Sequence, residues 1–332
     1  MVKDLSISNY KSIRHLDLSC KKLNVFIGEP NSGKSNIIEA LSLLAQDVLT
    51  KENFKDIIRF ETIGDLFYDS NINEPIGIRT GVLDGTLTYS KTDNGILQNQ
   101  FKFTFSDSVN KISENDANIY VSHDGAVNSQ VFGIKTNFLY YSYKRLNNFQ
   151  QHYSPRLTTP FGDNLPSILL GNPALKKWVS DFFRSKGYKM QLRPVERDIY
   201  ISKEIDEVEY SYPYLTISET FQRVVFYMMA MESNKDKILL FDEPDCNTFP
   251  LYTKFLGERM ALDETNQFFV TTHNPFLLLN LIGKSSLDNI NVCVVQMKNY
   301  ETVLTVLNEK QISQVLDFNS DVFLNLDKLT EA

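Results

Sequence analysis

The stretch that most constrains the fold is GEPNSGKSN, from Gly28 to Asn36, which has the pattern G-x4-G-K-S. It follows an apolar, β-favouring run that ends in glycine, KKLNVFIG at 21–28. It precedes SNIIEALSLLAQDVL at 35–49, whose apolar residues recur at helical spacing. Strand, glycine-bounded loop and helix form the context that a phosphate-binding loop requires, and a chance glycine-rich loop is the alternative.

The residue types in this loop suit the binding of phosphate and a divalent cation. Backbone N–H groups at the head of a helix form a concave anion site, and Gly28 and Gly33 let the backbone wrap closely. Lys34 is expected to reach the β- and γ-phosphates, and the Ser35 hydroxyl to bind Mg²⁺. The predicted nucleotide-binding residues of the loop are therefore Gly28, Asn31, Ser32, Gly33, Lys34, Ser35 and Asn36.

Two later apolar runs end in polar residues that suit the binding and hydrolysis of a nucleotide held by the loop. A predicted strand at 237–241 carries Asp242 to its carboxyl end, where it is expected to hold Mg²⁺ together with Ser35. Glu243 follows and is placed to orient or deprotonate an attacking water. A further buried run, QFFVTTHNP, ends near His273, which is predicted to hydrogen-bond the γ-phosphate. The predicted cofactors are ATP and Mg²⁺, and the alternatives are a surface acidic pair and a structural histidine.

The region between these motifs has a different sequence pattern. Turn-favouring dipeptides, DG at 84–85, NG at 94–95 and DG at 124–125, punctuate β-rich runs. They predict an antiparallel β-subdomain over about 76–143.

Helical patterns at 163–190 and 217–233, with the strands around them, predict an α/β fold with a mainly parallel core sheet. We expect a single domain over 1–332 with four sub-regions. The first is a Walker A lobe at 1–60, named for the phosphate-binding loop, and the second is the antiparallel β-subdomain at 61–150. A helical lobe follows at 151–235. The last sub-region, 236–332, holds the Walker B strand with Asp242, the switch histidine His273 and the C-terminal elements.

Composition limits the classes of partner. The net charge of −7 argues against a protein that grips DNA through basic surface alone, although a local basic groove stays possible. The cysteines and histidines lack metal-ligand spacing, which argues against structural zinc. No apolar run is long enough to span a bilayer, so we expect a cytoplasmic protein without a membrane partner.

The chain resembles the ABC-type ATPases of the SMC, RecF and OLD-like group, including the stand-alone AAA-like ATPases of bacterial anti-phage defence systems. The resemblance runs nearly end to end and is carried by LSISNYKSIRHLDLSCKKLNVFIGEPNSGKSNIIEAL, FGDNLPSIL, LLFDEPDCNTFP and TTHNP. It implies an SMC-head-like P-loop NTPase fold with a helical lobe. It also implies that two subunits enclose ATP head to tail, as a homodimer or within a higher homo-oligomer.

The signature motif of this group, usually S-x-G-x-x-R, binds the nucleotide of the partner subunit. Here Ser218 and Arg223 keep the serine and the arginine, but Thr220 stands where glycine is usual. The resemblance implies that Ser218 acts in trans, and the extra side chain at Thr220 is expected to slow hydrolysis.

The leading hypothesis is a dimeric ATP-binding switch that hydrolyses slowly and controls a separate effector, a nuclease or toxin, in anti-phage defence. The alternative is a RecF-like DNA-binding ATPase of repair or recombination. No second acidic cluster with metal spacing accompanies the motifs, so we expect no nuclease activity in this chain.

Three further assignments stay open at this point. Gln150 and Gln151 are candidates for the Q-loop glutamine, and Lys11 aligns with a basic residue that approaches the nucleotide in relatives. The aromatic run at 138–145 either stacks nucleic-acid bases or forms a strand of the core.

Overall fold

A computed structural model describes residues 1–45, 54–90, 100–107, 118–127, 136–150, 154–196 and 198–330. Within these ranges the strands form two six-stranded sheets and one three-stranded sheet. No helix of the described residues has the length and apolar character needed to cross a membrane.

The elements follow one another along the chain with these bounds. The strands are β1 (Asp4–Tyr10), β2 (Ile13–Ser19), β3 (Leu23–Ile27), β4 (Ile76–Arg79), β5 (Leu83–Ser90), β6 (Gln100–Asp107), β7 (Asn118–Val121), β8 (Phe138–Tyr141), β9 (Lys189–Arg193), β10 (Asp198–Ile205), β11 (Val208–Pro213), β12 (Ile238–Asp242), β13 (Gln267–Thr271), β14 (Ile290–Lys298) and β15 (Glu301–Val306). The helices are α1 (Lys34–Ser42), α2 (Leu165–Gly171), α3 (Pro173–Arg184), α4 (Glu219–Glu232), α5 (Pro250–Leu262), α6 (Pro275–Lys284), α7 (Glu309–Phe318) and α8 (Leu326–Thr330).

The central sheet has the strand order β15-β14-β3-β13-β12-β8. Every pair in it is parallel except the edge pair of β14 and β15. β3 and β13 are buried along their whole length, as is usual for parallel strands covered on both faces. The mainly parallel core sheet is confirmed. Because the strands run the same way, the ends of β3, β12 and β13 meet at one edge, and the predicted site residues follow those ends.

The second sheet has the order β2-β1-β4-β5-β6-β7 and is antiparallel throughout. An antiparallel β-subdomain is therefore confirmed, but its membership differs from the prediction. β1 and β2 belong to it, whereas β8 lies in the central sheet. The aromatic run at 138–145 thus supplies a buried core strand, with all four β8 residues buried.

The prediction of a turn at 84–85 was wrong, because both residues lie inside β5. A Cβ on Gly85 would come within 2.8 Å of Leu44 and of Phe103, so this glycine serves close packing. At 124–125 the chain does turn, with Gly125 at a φ of 92° and Ser122 bonded to Ala126 across the loop. The NG dipeptide at 94–95 lies outside the described residues.

The helical lobe differs from the sequence pattern in two places. The helical region predicted at 163–190 divides into α2 and α3, because the Asn172 side chain accepts hydrogen bonds from the N–H groups of Ala174 and Leu175 and starts α3 anew. It then turns into β9, the first strand of a three-stranded sheet ordered β11-β10-β9 that the sequence did not predict. α4 matches the helix expected at 217–233, while the predicted helix 35–49 ends at Ser42 as α1, and 46–49 lie outside the described residues.

Candidate nucleotide-binding site

The loop between β3 and α1 is pressed against the edge of the central sheet. Gly33 has a φ of 98°, a conformation that favours glycine. A Cβ there would stand 2.0 Å from the Thr302 hydroxyl oxygen of β15, and a Cβ on Gly28 would stand 2.2 Å from the Val295 carbonyl oxygen of β14. The two glycines are therefore required by close packing.

Lys34 lies within the curve of its own loop and is 6% exposed. Its Nζ donates to the carbonyl oxygens of Gly28, at 2.9 Å, and Glu29, at 2.7 Å. Burial lowers the pKa of Lys34, and the negative charges of Glu243 and Asp242 partly oppose that effect. A partly desolvated ammonium group at the head of a helix is well suited to attract a phosphate group.

The loop is tied to β15 through a short network of polar side chains. The Asn36 amide donates to the Ser12 hydroxyl at 2.7 Å, and the hydroxyls of Ser12 and Thr302 lie 2.6 Å apart. Thr302 also reaches the carbonyl oxygen of Ser32 at 3.2 Å. Asn31, at a φ of 62°, lines the same cavity as Ser32 and Asn36. Ser12 and Thr302 were not predicted, because they lie far from the loop in the sequence.

Ser35 and Asp242 are brought together as a candidate pair of Mg²⁺ ligands. The Ser35 hydroxyl donates to Asp242 Oδ1 at 3.1 Å, and Thr271 donates to the same oxygen. Adjacent oxygens of an octahedral Mg²⁺ shell lie about 2.9 Å apart, so the pair fits that ion. Burial raises the pKa of Asp242, which the positive charge of a metal ion would reverse.

Among the described residues, no cluster of three or more histidine, cysteine or acidic side chains is arranged to hold a metal. An ion at the Ser35–Asp242 pair would take its remaining ligands from water and phosphate. That mode of binding is characteristic of Mg²⁺ rather than of zinc or calcium.

Glu243 and His273 form the candidate catalytic pair. Glu243 has a φ of 45°, held by the hydrogen bond from its N–H to the Thr271 hydroxyl at 2.9 Å. His273 Nδ1 lies 3.0 Å from Glu243 Oε1, and the two side chains are 57% and 36% exposed, respectively. Glu243 lines a cavity of about 260 Å³ together with the loop residues 30–36. A solvent-accessible carboxylate therefore faces the phosphate loop.

Arg59 lines this cavity and was not predicted. Its Nε donates to Glu39 Oε1 of α1 at 2.8 Å, and Glu39 also forms an ion pair with Lys11. Lys11 donates in addition to the Arg59 carbonyl oxygen at 2.7 Å. Lys11 therefore supports Arg59 and does not line the cavity itself. A buried glutamate in α1 was the available signal, because such a group requires a cationic partner.

Ser218 is exposed at the start of α4 and does not line the cavity of the phosphate loop. The Thr220 hydroxyl donates to the Asn247 carbonyl oxygen at 3.2 Å. Arg223 pairs with Glu219 at 2.9 Å and lies over the Tyr143 ring at 4.5 Å. The arginine of the signature is thus engaged within its own chain, while the serine is accessible.

Two other sequence assignments have different positions. Gln150 does not line the cavity, and Gln151 lies outside the described residues. Asn164 of the FGDNL segment is fully buried. Its side chain accepts a hydrogen bond from the Thr158 N–H and donates one to the Arg156 carbonyl oxygen. That segment therefore stabilises a chain turn.

Comparison with known proteins supports the fold. A family model described as "Protein of unknown function (DUF2813)" matches residues 1–148. No curated protein matches the chain. The structure of an SMC head bound to the C-winged helix domain of ScpA has a TM-score of 0.54 at 14% identity, covering 94% of this chain and 99% of that chain.

Two further SMC heads are similar at lower scores. The head with an extended coiled coil bound to the C-terminal domain of ScpA, from Pyrococcus furiosus, has a TM-score of 0.49 at 13% identity, covering 95% of this chain and 98% of that one. The head from Thermotoga maritima has a TM-score of 0.42 at 13% identity, covering 92% and 99%. The first match establishes the ABC-type fold of an SMC head for this chain.

Proposed function

We propose that this protein is an ATPase that binds ATP with Mg²⁺ at the cavity between α1 and the end of β12. The observation that carries the proposal is the convergence of the phosphate loop, the Ser35–Asp242 pair and Glu243 on one cavity. The loop N–H groups and Lys34 hold the phosphates, and Ser35 and Asp242 hold the cation. Mg²⁺, when bound, supplies charge neutralisation to the phosphates.

Glu243 acts as the general base. Its carboxylate orients a water molecule and accepts the proton that the water loses on attack. His273 Nδ1, at 3.0 Å, donates to the carboxylate and fixes it, and in the imidazolium form, in which both ring nitrogens carry a proton, Nε2 also donates to the terminal phosphate. Arg59 adds a fixed positive charge on the cavity wall.

The protein acts as a dimeric switch in this proposal. Two copies enclose ATP head to tail, with the exposed Ser218 of each facing the phosphate loop of the other. Thr220 keeps turnover slow, so the closed state persists and controls a separate effector, a nuclease or toxin of an anti-phage system in the bacterial cytoplasm. The motif resemblance to stand-alone defence ATPases supports this role, and the negative net charge disfavours the RecF-like alternative.

The Glu243→Gln variant tests the proposal, because glutamine keeps the shape of the side chain and loses its basicity. We expect it to bind ATP, to lose turnover, and to accumulate as an ATP-dependent closed dimer. Phosphate release measures turnover and light scattering measures the dimer. The matched control is Glu258→Gln on α5, whose carboxylate pairs with Lys284 and does not line the cavity. Normal turnover in the Glu243 variant would refute the assignment of the base. Tight ATP-dependent binding of duplex DNA would favour the RecF-like function over the switch.

A further inference from the structure

The β10–β11 hairpin extends beyond the sheet to which it belongs. The first residue of β9, Lys189, pairs with Ser202, and the hairpin continues past that point to the pair Ile205 and Val208. Three further residues on each strand project as a two-stranded ribbon of about 10 Å. All residues from 204 to 212 are exposed. Because these residues are exposed, burial within the chain does not stabilise the projecting ribbon. An isolated two-stranded ribbon is only marginally stable in water.

The turn at the end of this ribbon is acidic and unfavourable in conformation. Asp206 and Glu207 have φ values of 48° and 65°, a two-residue turn of the kind for which Asn-Gly is preferred. Neither side chain forms a hydrogen bond or ion pair with the parts of the chain that the structure describes. Of the two acidic residues that flank the turn, Glu204 pairs with Lys189 at 2.8 Å, and Glu209 accepts hydrogen bonds from Gln191 and Ser202.

The ribbon also exposes apolar side chains on one face. Ile205 and Val208 are 45% and 50% exposed, and Tyr210 is 47% exposed. Their pairing places Ile205 opposite Val208 and Lys203 opposite Tyr210 on the same side of the ribbon. We call Ile205, Asp206, Glu207 and Val208 the hairpin tip. The tip combines two aliphatic side chains with two free carboxylates.

A groove of complementary character lies between α3 and β9 on the same lobe. It has a volume of about 460 Å³, with an apolar floor and a basic rim. The floor is formed by Leu170, Pro173, Met190 and Leu192, and the rim by Lys176, Lys177 and Arg184. Asp181 is the one acidic residue of the lining, and it pairs with Lys177 at 2.7 Å and Arg184 at 2.9 Å. A positively charged groove thus stands on a chain whose net charge is −7.

The apolar side chains of the tip and the groove residues Met190 and Leu192 belong to the same face of the three-stranded sheet. Met190 pairs with Ile201, and the residues of β10 that alternate with it carry that face out to Ile205. A two-fold axis that sets the tip of each copy in the groove of the other would make the same contact twice. Such an isologous contact closes on itself and forms a dimer rather than a filament.

We propose that a second copy of this chain docks on this face, tip into groove and groove onto tip, to form a dimer that requires no nucleotide. The acidic tip meets the basic rim, and Ile205 and Val208 meet the apolar floor. This interface does not use ATP and goes beyond the proposed function.

Charge reversal tests this interface with the protein itself as the probe. Sedimentation velocity without nucleotide should show a reversible wild-type dimer. A tip-reversed variant, Asp206→Lys with Glu207→Lys, and a groove-reversed variant, Lys176→Glu with Lys177→Glu, should each associate at least about tenfold more weakly. Mixed together, the two variants should form a heterodimer, because both of its contacts again pair opposite charges.

A neutral variant separates charge from folding. Asp206→Asn with Glu207→Gly supplies the preferred turn residues, so the hairpin is retained while both charges are lost. It should also associate more weakly, with unchanged circular dichroism. All arms are repeated in the Lys34→Ala chain, so that failure of this interface is distinguishable from failure of the nucleotide site.

Three results would overturn the interface. These are a wild-type chain that stays monomeric without nucleotide, a dimer insensitive to both reversals, and a mixture that associates no better than its components. A duplex DNA titration covers the other occupant of a basic groove. DNA binding lost in the groove-reversed variant, with self-association intact, would assign the groove to nucleic acid and refute the proposal.

Discussion

The side chain of Thr220 offers the sharpest test of how the signature motif works here. Glycine is usual at this position in the group that the chain resembles. The structure shows that the Thr220 hydroxyl is bonded to the Asn247 carbonyl oxygen at 3.2 Å, within its own chain. The hydroxyl is therefore not directed toward a partner's phosphate, and what remains at the head of α4 is the bulk of a β-branched side chain.

Two substitutions separate the hydrogen bond from the bulk. Thr220→Val keeps the shape and loses the bond, which costs about 0.5–1.5 kcal/mol of unfolding free energy. Thr220→Gly loses both, and glycine in a helix adds about 0.5–1 kcal/mol. We expect turnover to stay near wild type in the valine variant. In the glycine variant it should rise about tenfold, equivalent to roughly 1.4 kcal/mol of barrier.

The assay is steady-state phosphate release for both variants, alongside urea unfolding. The Thr220→Gly chain that also carries Glu243→Gln should be inactive, which shows that the gained activity comes from this site. If valine and glycine lower the rate equally, the bond to Asn247 matters and the bulk does not, and the reasoning fails.

Two other predictions follow from the packing and burial of single residues. Gly33→Ala should weaken nucleotide binding and destabilise the fold by about 3 kcal/mol, because its Cβ meets the Thr302 hydroxyl and its φ is positive. Gly283→Ala, with nothing within 4 Å, should be neutral or slightly stabilising, and a denaturant series compares them. Burial raises the pKa of Asp245 to about 6 from an ordinary 3.8, so its proton stabilises the fold below pH 4 and that stability is lost as the pH rises to 6. Relative to Asp245→Asn, the wild type should lose about 2 kcal/mol between pH 4 and 6, and parallel pH profiles of the two would contradict the assignment.

The site was predictable where chemistry is encoded locally. A β-favouring run, a glycine-bounded loop and a helical pattern adjoin one another at 21–49, so the phosphate loop is visible in one window of sequence. Asp242 and His273 follow apolar strands, and parallel strands bring their ends to one edge. These features predict that the loop, Asp242 and His273 lie at one edge of the sheet, as they do.

What the sequence left out depends on contacts between distant segments. Arg59 reaches the cavity only because Glu39 of α1 holds it, and Thr302 supports the loop from β15. Gly85 resembled a turn residue, yet it serves close packing against Leu44 and Phe103 inside a strand. The β9–β11 sheet was missed for a different reason, since its signal was present: β11 alternates Val208, Tyr210 and Tyr212 with polar residues.

The central claim, that the loop at 28–36 holds ATP with Mg²⁺, is tested most directly by isothermal titration calorimetry. Wild type and Lys310→Ala, an exposed lysine on α7, should bind Mg-ATP with equal affinity. Lys34→Ala, which removes the ammonium group held inside the loop, should bind at least about tenfold more weakly. Equal affinity in all three proteins would contradict the account.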